Sequence, residues 1–425
     1  MEPSRPGIDV STANLERQGV TQSTPIILQI IPRLDTGGAE LSAIEITDAV
    51  VRAGGRMLVL SEGGRLAAEI TRLGGELIPF PAATKNPASL YANSRRIAAL
   101  VSERRVDLLH ARSRAPAWSA LMAARRTAKP LVTTYHGAYG SIGRLKTAYN
   151  SVMARGDAVI ANSEFTAQLI RARHHTPPER LNVIHRGVDL VRFDPANVTS
   201  DRLDALRRAW NLRPQHRVIL HAARLTGWKG QRVLIDAVAR LKADGRLGDN
   251  VVILAGDAQG RDGYIEELKN RIDAAGLSDH VRVVGHCADI AAAYQLAFVT
   301  VVPSTEPEAF GRAAAEALAM GCPIIAADHG APPEILRMGG DKATNTPRLA
   351  ERLGRLTIPG DAPSLATGLG AVLGLTPNQR EQVRIEGRAH IIRYFSSTRM
   401  QRATLEVYDR LLGSRLTAQF QYQGR

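Results

Sequence analysis

The chain has 425 residues, more than one ordinary core holds, so two domains are expected. Its 44% hydrophobic and 23% charged content is that of a soluble globular protein. A formal charge of +14 favours an anionic partner: nucleic acid, an anionic lipid surface or a phosphorylated substrate. Aromatics at 4%, with no basic run interleaved among them, argue against a single-strand stacking platform.

Residues 1–24 are polar and lack the apolar core of a secretory signal, so they read as a disordered tail. From residue 25 short apolar runs alternate with amphipathic ones. Strands are expected at 26–31, 57–60, 76–80, 107–111, 131–135, 158–161 and 182–185. Helices are expected between them, at 39–52, 66–73, 90–103, 115–126, 145–154 and 164–173. That rhythm makes βαβ units and a parallel sheet, here a first domain over 25–190. Asp194-Pro195, a short helix at 201–210 and Pro214 mark an interdomain linker, 191–214.

The alternation restarts at Val218 and defines a second domain, 215–395. Its expected strands are 218–222, 251–255, 281–284, 299–302 and 324–326. Its expected helices are 231–241, 263–275, 290–297, one starting near Phe310, 333–336, and one ending near Leu373. Residues 337–357 give no clear pattern. Residues 396–425 hold a last helix, 397–412, with Met400, Ala403, Val407, Tyr408, Leu411 and Leu412 on one stripe, expected to dock across both domains. The fold class is α/β, with two domains of βαβ units, each built on a parallel sheet.

Cys287 and Cys322 form no C-x-x-C and read as small buried hydrophobes in a reducing compartment. No apolar run is long enough to span a bilayer. A cytoplasmic protein is expected, with a peripheral place on the inner membrane face as a further option.

Ligands of open parallel sheets bind beyond the carboxyl ends of the strands. Gly37 and Gly38 stand in the first such loop, where a backbone can approach a phosphate or sugar; a tight strand–helix turn accounts for them equally well. Arg224 and Lys229, five residues apart after the first strand of the second domain, suit a diphosphate, or else are solvated surface cations. His136 ends a strand, where it either contacts a sugar or is structural. The basic run Arg95, Arg96, Arg104, Arg105, Arg112, Arg114, Arg125, Arg126 and Lys129, continued by Arg144 and Lys146, is either a solvated face or a patch for an anionic acceptor or membrane. No D-x-D and no His/Cys cluster occurs, so neither a metal site nor a cofactor is expected. The stretch 301–327 reads as strand, acidic loop, helix, Gly stop and strand. Glu308 lies in its loop and Glu316 two turns into its helix, so both can border one cleft beside a free helix N-terminus.

These motifs resemble glycosyltransferase family 4, a group of GT-B enzymes. The resemblance runs from about Ile26 to Leu412. It is carried by Glu308-Ala-Phe310-Gly311 followed by Glu316 and Gly321-Cys-Pro323, which look like an E-x7-E signature. Gly37-Gly38, Thr134-x-His136, Asn162-Ser163, Gly187-Val188-Asp189, Arg224…Lys229-Gly230 and Gly256-Asp257 support it. Two departures stand out. Arg186 takes the place often held by Asn before Gly187, and residues 338–355 replace a glycine-rich turn.

The resemblance implies the GT-B fold, two Rossmann-like β/α/β domains facing across a cleft, and a retaining, metal-independent transfer from a nucleotide-sugar, with the donor in the C-terminal domain and the acceptor mainly in the N-terminal one. Arg224 and Lys229 would hold the donor diphosphate. Glu316 would bind the ribose, and Glu308 would support the oxocarbenium-like transition state. Phe310 and Gly311 would offer backbone N–H groups to the sugar, His136 would reach it from the opposite domain, and Gly37 and Gly38 would approach the phosphate or acceptor. Base recognition is expected near Gly256, Gly285 and His286. The expected acceptor is a glycan or lipid-linked molecule of cell-envelope polysaccharide or lipopolysaccharide biosynthesis. The alternatives are a nucleotide-sugar epimerase, a phosphorylase or, resting on charge alone, a nucleic-acid-binding protein.

Overall fold

The computed structural model of the chain describes residues 24–35, 37–137, 143–338 and 352–420. All but one residue of the expected tail 1–24, and most of the unassigned stretch 337–357, lie outside the described residues.

The first unit alternates β1 (Ile26–Ile30), α1 (Gly38–Arg52), β2 (Arg56–Ser61), α2 (Ala67–Arg72), β3 (Glu76–Pro79), α3 (Pro87–Glu103), β4 (Leu108–Ala111), α4 (Arg114–Thr127), β5 (Leu131–Tyr135), α5 (Arg144–Asn150), β6 (Ala158–Ala161), α6 (Glu164–His174) and β7 (Leu181–Val183). All seven strands are parallel, in the order β3-β2-β1-β4-β5-β6-β7. The strands are apolar on both faces because helices cover both. Gln29 is the polar exception in β1, and its amide is bonded inside the core to the Ala43 carbonyl at 3.0 Å.

The second unit follows the connecting helix α7 (Ser200–Ala209). It comprises β8 (Arg217–Ala222), α8 (Gln231–Ala243), β9 (Asn250–Ala255), α9 (Asp262–Ala274), β10 (Val281–Gly285), α10 (Ile290–Leu296), β11 (Ala297–Val302), α11 (Arg312–Ala319), β12 (Ile324–Ala327), α12 (Pro332–Arg337), β13 (Gly354–Thr357) and α13 (Ala362–Leu373). Its sheet is again parallel, in the order β10-β9-β8-β11-β12-β13. Helices α14 (Pro377–Tyr394), α15 (Ser397–Leu412) and α16 (Leu416–Gln419) complete the described chain.

Each sheet grows outward from its first strand and then jumps back, so strand order reverses between β1 and β4 and between β8 and β11. Such switch points open crevices at the carboxyl ends of the strands. The loops flanking them are therefore 31–37 and 112–113 in the first unit, and 223–230 and 303–311 in the second.

The chain crosses back to the first unit at Phe395–Ser397. Val188 N donates to the Phe395 carbonyl at 2.7 Å, and Ser397 N donates to the Val188 carbonyl at 2.9 Å. Gly187 admits no side chain there, since a Cβ would lie 2.2 Å from Ser397 Cα. Helix α15 was expected across both units; its buried Met400, Leu405, Val407 and Tyr408 join the core around α1 and the first sheet. Among the described residues, no helix is long and apolar enough to cross a membrane.

A second crossing contact comes from Glu334 on α12. Its carboxylate accepts from the backbone N–H of Glu164 at 2.8 Å and of Phe165 at 2.6 Å, at the start of α6. His185 Nε2 lies 2.9 Å away. One unit thus caps a helix of the other, satisfying N–H groups that the helix itself leaves free. Glu334→Ala is expected to cost about 1–2 kcal/mol in denaturant unfolding, the value of an N-cap, with Glu334→Gln in between. Unchanged unfolding midpoints in both variants would mean the contact carries no weight.

Candidate active site

Lys229 reaches its position through glycine. Gly230, at φ +82°, lets the loop after β8 press onto the 303–305 backbone; a Cβ would lie 1.9 Å from the Pro303 carbonyl oxygen. Thr305 N then donates to the Trp228 carbonyl at 2.8 Å. The result is an ion pair, Lys229 Nζ to Glu308 Oε1, at 2.8 Å, with both side chains largely buried. Ser304 Oγ also donates to Glu308 Oε1. Burial alone would raise the Glu308 carboxyl pKa; the Lys229 ammonium and the Ser304 hydroxyl outweigh it and hold the group below the ordinary carboxylate range. Glu308 is therefore a fixed negative charge at neutral pH.

Arg224, in the same loop, is exposed and makes no ion pair among the described residues. It is available to a ligand. His221, which sequence reasoning passed over, lies beneath. Its Nδ1 is 2.9 Å from the Val301 carbonyl, so Nδ1 donates and Nε2 is left as a buried acceptor with no partner. Burial, against the pull of that hydrogen bond, pushes its pKa down to about 4. The signal for it was only a histidine inside an apolar strand, which a packed core also produces.

The loop 303–311 leads into α11, which begins at Arg312, two residues later than expected. Glu316 is thus one turn into the helix. Its carboxylate is committed elsewhere: Arg312 Nε is 3.1 Å from Oε1, and Tyr294 OH donates to Oε2 at 3.3 Å. The two glutamates therefore hold separate partner sets rather than facing one another. Arg312 also reaches Glu45 of α1 at 3.4 Å, across the units. Phe310 is buried 6.0 Å from Phe395 and 6.5 Å from His185 between ring centroids, which anchors the loop by its side chain. Gly311, at φ +92°, turns the chain into α11 against Pro332, and its carbonyl accepts from Ala314 N at 3.0 Å and Ala315 N at 3.4 Å, so the helical ladder begins at Ala314.

Of the other expected residues, Gly38 lies against Arg312, 3.5 Å from Cδ to the position a Cβ would take. The first loop therefore does meet the start of α11. Gly37 stands at φ +154°, where an added Cβ would meet the Glu40 carboxylate. Gly256 has a packing reason of its own: a Cβ would lie 1.8 Å from the Ala223 carbonyl oxygen. His136 sits at the end of β5 with Nδ1 against a guanidinium nitrogen of Arg186. Arg112, grouped by sequence with a run read as solvated, acceptor-side or membrane-facing, is 2% exposed and so is neither solvated nor open to a membrane.

The model described as "Glycosyltransferase Family 4" matches residues 36–192, and the one described as "Glycosyl transferases group 1" matches 204–359. A "D-inositol 3-phosphate glycosyltransferase" of Jonesia denitrificans is 30% identical over 325 residues, 72% of each chain. The protein of that name from Streptomyces bingchenggensis is 32% identical over 60% of this chain and 53% of its own. Among solved structures, a glycosyltransferase from Rickettsia africae superposes with a TM-score of 0.81 at 30% identity, covering 92% of this chain and all of its own. HepE of Anabaena, solved with UDP-glucose, superposes at 0.76 with 24% identity, covering 91% of this chain and 99% of its own. Two parallel Rossmann-like units with loops converging at both switch points define the GT-B class of glycosyltransferase. The chain belongs to glycosyltransferase family 4.

Proposed function

We propose that this enzyme is a retaining glycosyltransferase that takes its sugar from a nucleotide-sugar and passes it to a glycan or lipid-linked acceptor of cell-envelope polysaccharide or lipopolysaccharide biosynthesis. The observation that carries the reading is the Lys229–Glu308 pair beside the exposed Arg224, at the switch point of the second sheet. Glycosyl transfer leaves a diphosphate behind and develops positive charge on the sugar. Arg224 and Lys229 supply the cations for the first, without calling on a metal, and Glu308 supplies the anion for the second. Glu316, held by Arg312 and Tyr294, is the ribose partner of the donor. The start of α11 offers backbone N–H groups to the sugar. His136 and the Gly37-Gly38 loop close the cleft from the first unit, which takes the acceptor. We place the enzyme on the cytoplasmic side, at the membrane surface. Support for that placement is a basic groove on the first unit, lined by Arg144, Arg155 and Arg173 beside the exposed Leu145.

The test is a thermal-shift screen with UDP, GDP and ADP and their sugars. One nucleotide series is expected to raise the melting temperature by several degrees, as a ligand bound at 100 times its Kd adds about 2.7 kcal/mol. Failure of every nucleotide to shift it would remove the donor assignment. Products formed without an acceptor, or only with inorganic phosphate, would instead indicate epimerisation or phosphorolysis.

A further inference from the structure

Arg312 stands where local energetics would not put it. It is the first residue of α11, at the positive end of the helix dipole, where an anion is favoured. An arginine four residues before Glu316 is also the weaker order for a helical ion pair. Its side chain instead meets α1 of the opposite unit. An added Cβ at Gly38 would lie 3.5 Å from Arg312 Cδ, and Arg312 Nη2 is 3.4 Å from Glu45 Oε1. Gly38 and Glu45 are two helical turns apart, so they share one face of α1. Gln401 of α15 ties that helix at the same point, donating to the Glu45 carbonyl at 2.8 Å.

An arginine fork commonly grips one carboxylate with two parallel N–H bonds. Here the fork is divided. Nε is 3.1 Å from Glu316 Oε1, while Nη2 turns to Glu45. Nη1 is buried with no partner, and so is Oε2 of Glu45. Among the described residues, this guanidinium is therefore oriented by two carboxylates, one from each unit. Tyr294, 2% exposed, donates to the other oxygen of Glu316, Oε2, at 3.3 Å. A carboxylate has about four acceptor positions. Arg312 and Tyr294 occupy one on each oxygen, which leaves one on each for the two hydroxyls of a ribose. What the pair fixes is the plane and rotamer of the carboxylate.

We propose that Arg312 is a positioning residue for the donor: divided between Glu316 and Glu45, it holds the Glu316 carboxylate in the orientation that reads the ribose hydroxyls. Ribose discrimination in the second unit then depends on a glutamate of the first. This rests on the reading of Glu316 as the ribose partner. Without Glu45, the guanidinium is free to turn both prongs onto Glu316 and rotate the carboxylate with it. Arg224 and Lys229, assigned to the diphosphate, stand in a different loop, after β8. The loss therefore falls on the hydroxyls.

The test is calorimetric titration of the full chain with UDP, GDP or ADP, whichever binds, and with its 2′-deoxy and 3′-deoxy counterparts. The unmodified enzyme is expected to prefer the ribonucleotide to at least one deoxy form by about tenfold, the worth of a hydrogen bond to a charged group. Glu316→Ala is expected to abolish that preference. Glu45→Ala and Arg312→Gln are expected to reduce it by about threefold or more and to leave affinity for the deoxy form within about twofold. Arg312→Lys, which keeps the charge and loses the fork, is expected to fall between. Glu45→Ala and Arg312→Lys decide the matter if Arg312→Gln gives no cooperative melt. Full preference in the Glu45 and Arg312 variants, with loss in Glu316→Ala, overturns the proposal and leaves the ribose reading standing. Equal losses for ribonucleotide and deoxy forms overturn it too, since they assign Arg312 a structural role alone. Retained preference in Glu316→Ala, no preference in the unmodified enzyme, or binding of none of these nucleotides removes the ribose reading itself, and the proposal with it.

Discussion

Glu308→Gln is expected to lower kcat about 10²–10³-fold, the loss typical of removing one preorganised charge-stabilising group, while the fold and nucleotide binding survive. The substitution keeps the shape and the Ser304 hydrogen bond but removes the charge. Since Lys229 and Ser304 hold the carboxyl ionised, it cannot act as the proton donor at neutral pH. In the proposed reaction its contribution is electrostatic, exerted on a sugar that becomes cationic on its way to the acceptor. The depressed pKa also has a stability consequence. A carboxyl whose folded pKa lies below its unfolded one stabilises the fold above the unfolded value and loses that contribution as pH falls through the folded one. Acid sensitivity below the usual carboxylate range should therefore be smaller in Glu308→Gln than in the unmodified enzyme. Steady-state rates and acid unfolding check both parts, and full turnover by Glu308→Gln would remove the assigned role.

Lys229→Ala is expected to have the largest effect on stability as well as on donor affinity. It strands the Glu308 carboxylate, 11% exposed, without its cation. Breaking a buried pair from one side typically costs about 3–5 kcal/mol. Nucleoside diphosphate affinity should fall by roughly 10²-fold, as expected when a buried charge partner is lost. The double variant Lys229→Ala/Glu308→Gln separates the two losses. It should recover much of the stability, because no charge is left stranded, and none of the affinity. A double variant no more stable than Lys229→Ala would show that the pair is not coupled.

The strands were legible because each is a short apolar run closed by a polar turn. Both switch points followed from the βα rhythm once the order of strands was known. Helix α14 was not read at all. Its buried positions, Val383, Gly387, His390 and Ile391, include a glycine and a histidine, so no apolar stripe runs along it. The available signal was at its start: Thr376-Pro377 with Gln379 forms a capping box. Strand β13 is four residues long and contains Gly354 and Arg355, too little for a pattern. At the site, Glu308, Lys229 and the Gly230 turn were readable because motif spacing fixes them locally. Arg312, Glu45 and Glu334 were not, because their partners lie more than a hundred residues away or across the units. The burial of Arg112 was hidden for a related reason. An arginine at a strand end reads as solvated unless one knows that Gln29 and Ser42 enclose it.

The crossing at Phe395–Ser397 bears on the order in which this chain can mature. Met400, Leu405, Val407, Tyr408, Leu416 and Phe420 are buried in the core of the unit whose first strand begins at Ile26. Tyr408 OH lies 2.6 Å from His110, itself at the centre of that unit's sheet. On the ribosome the second sheet is fully synthesised before these residues emerge. The earlier-made half must wait, with an apolar face open, for the last segment to close it.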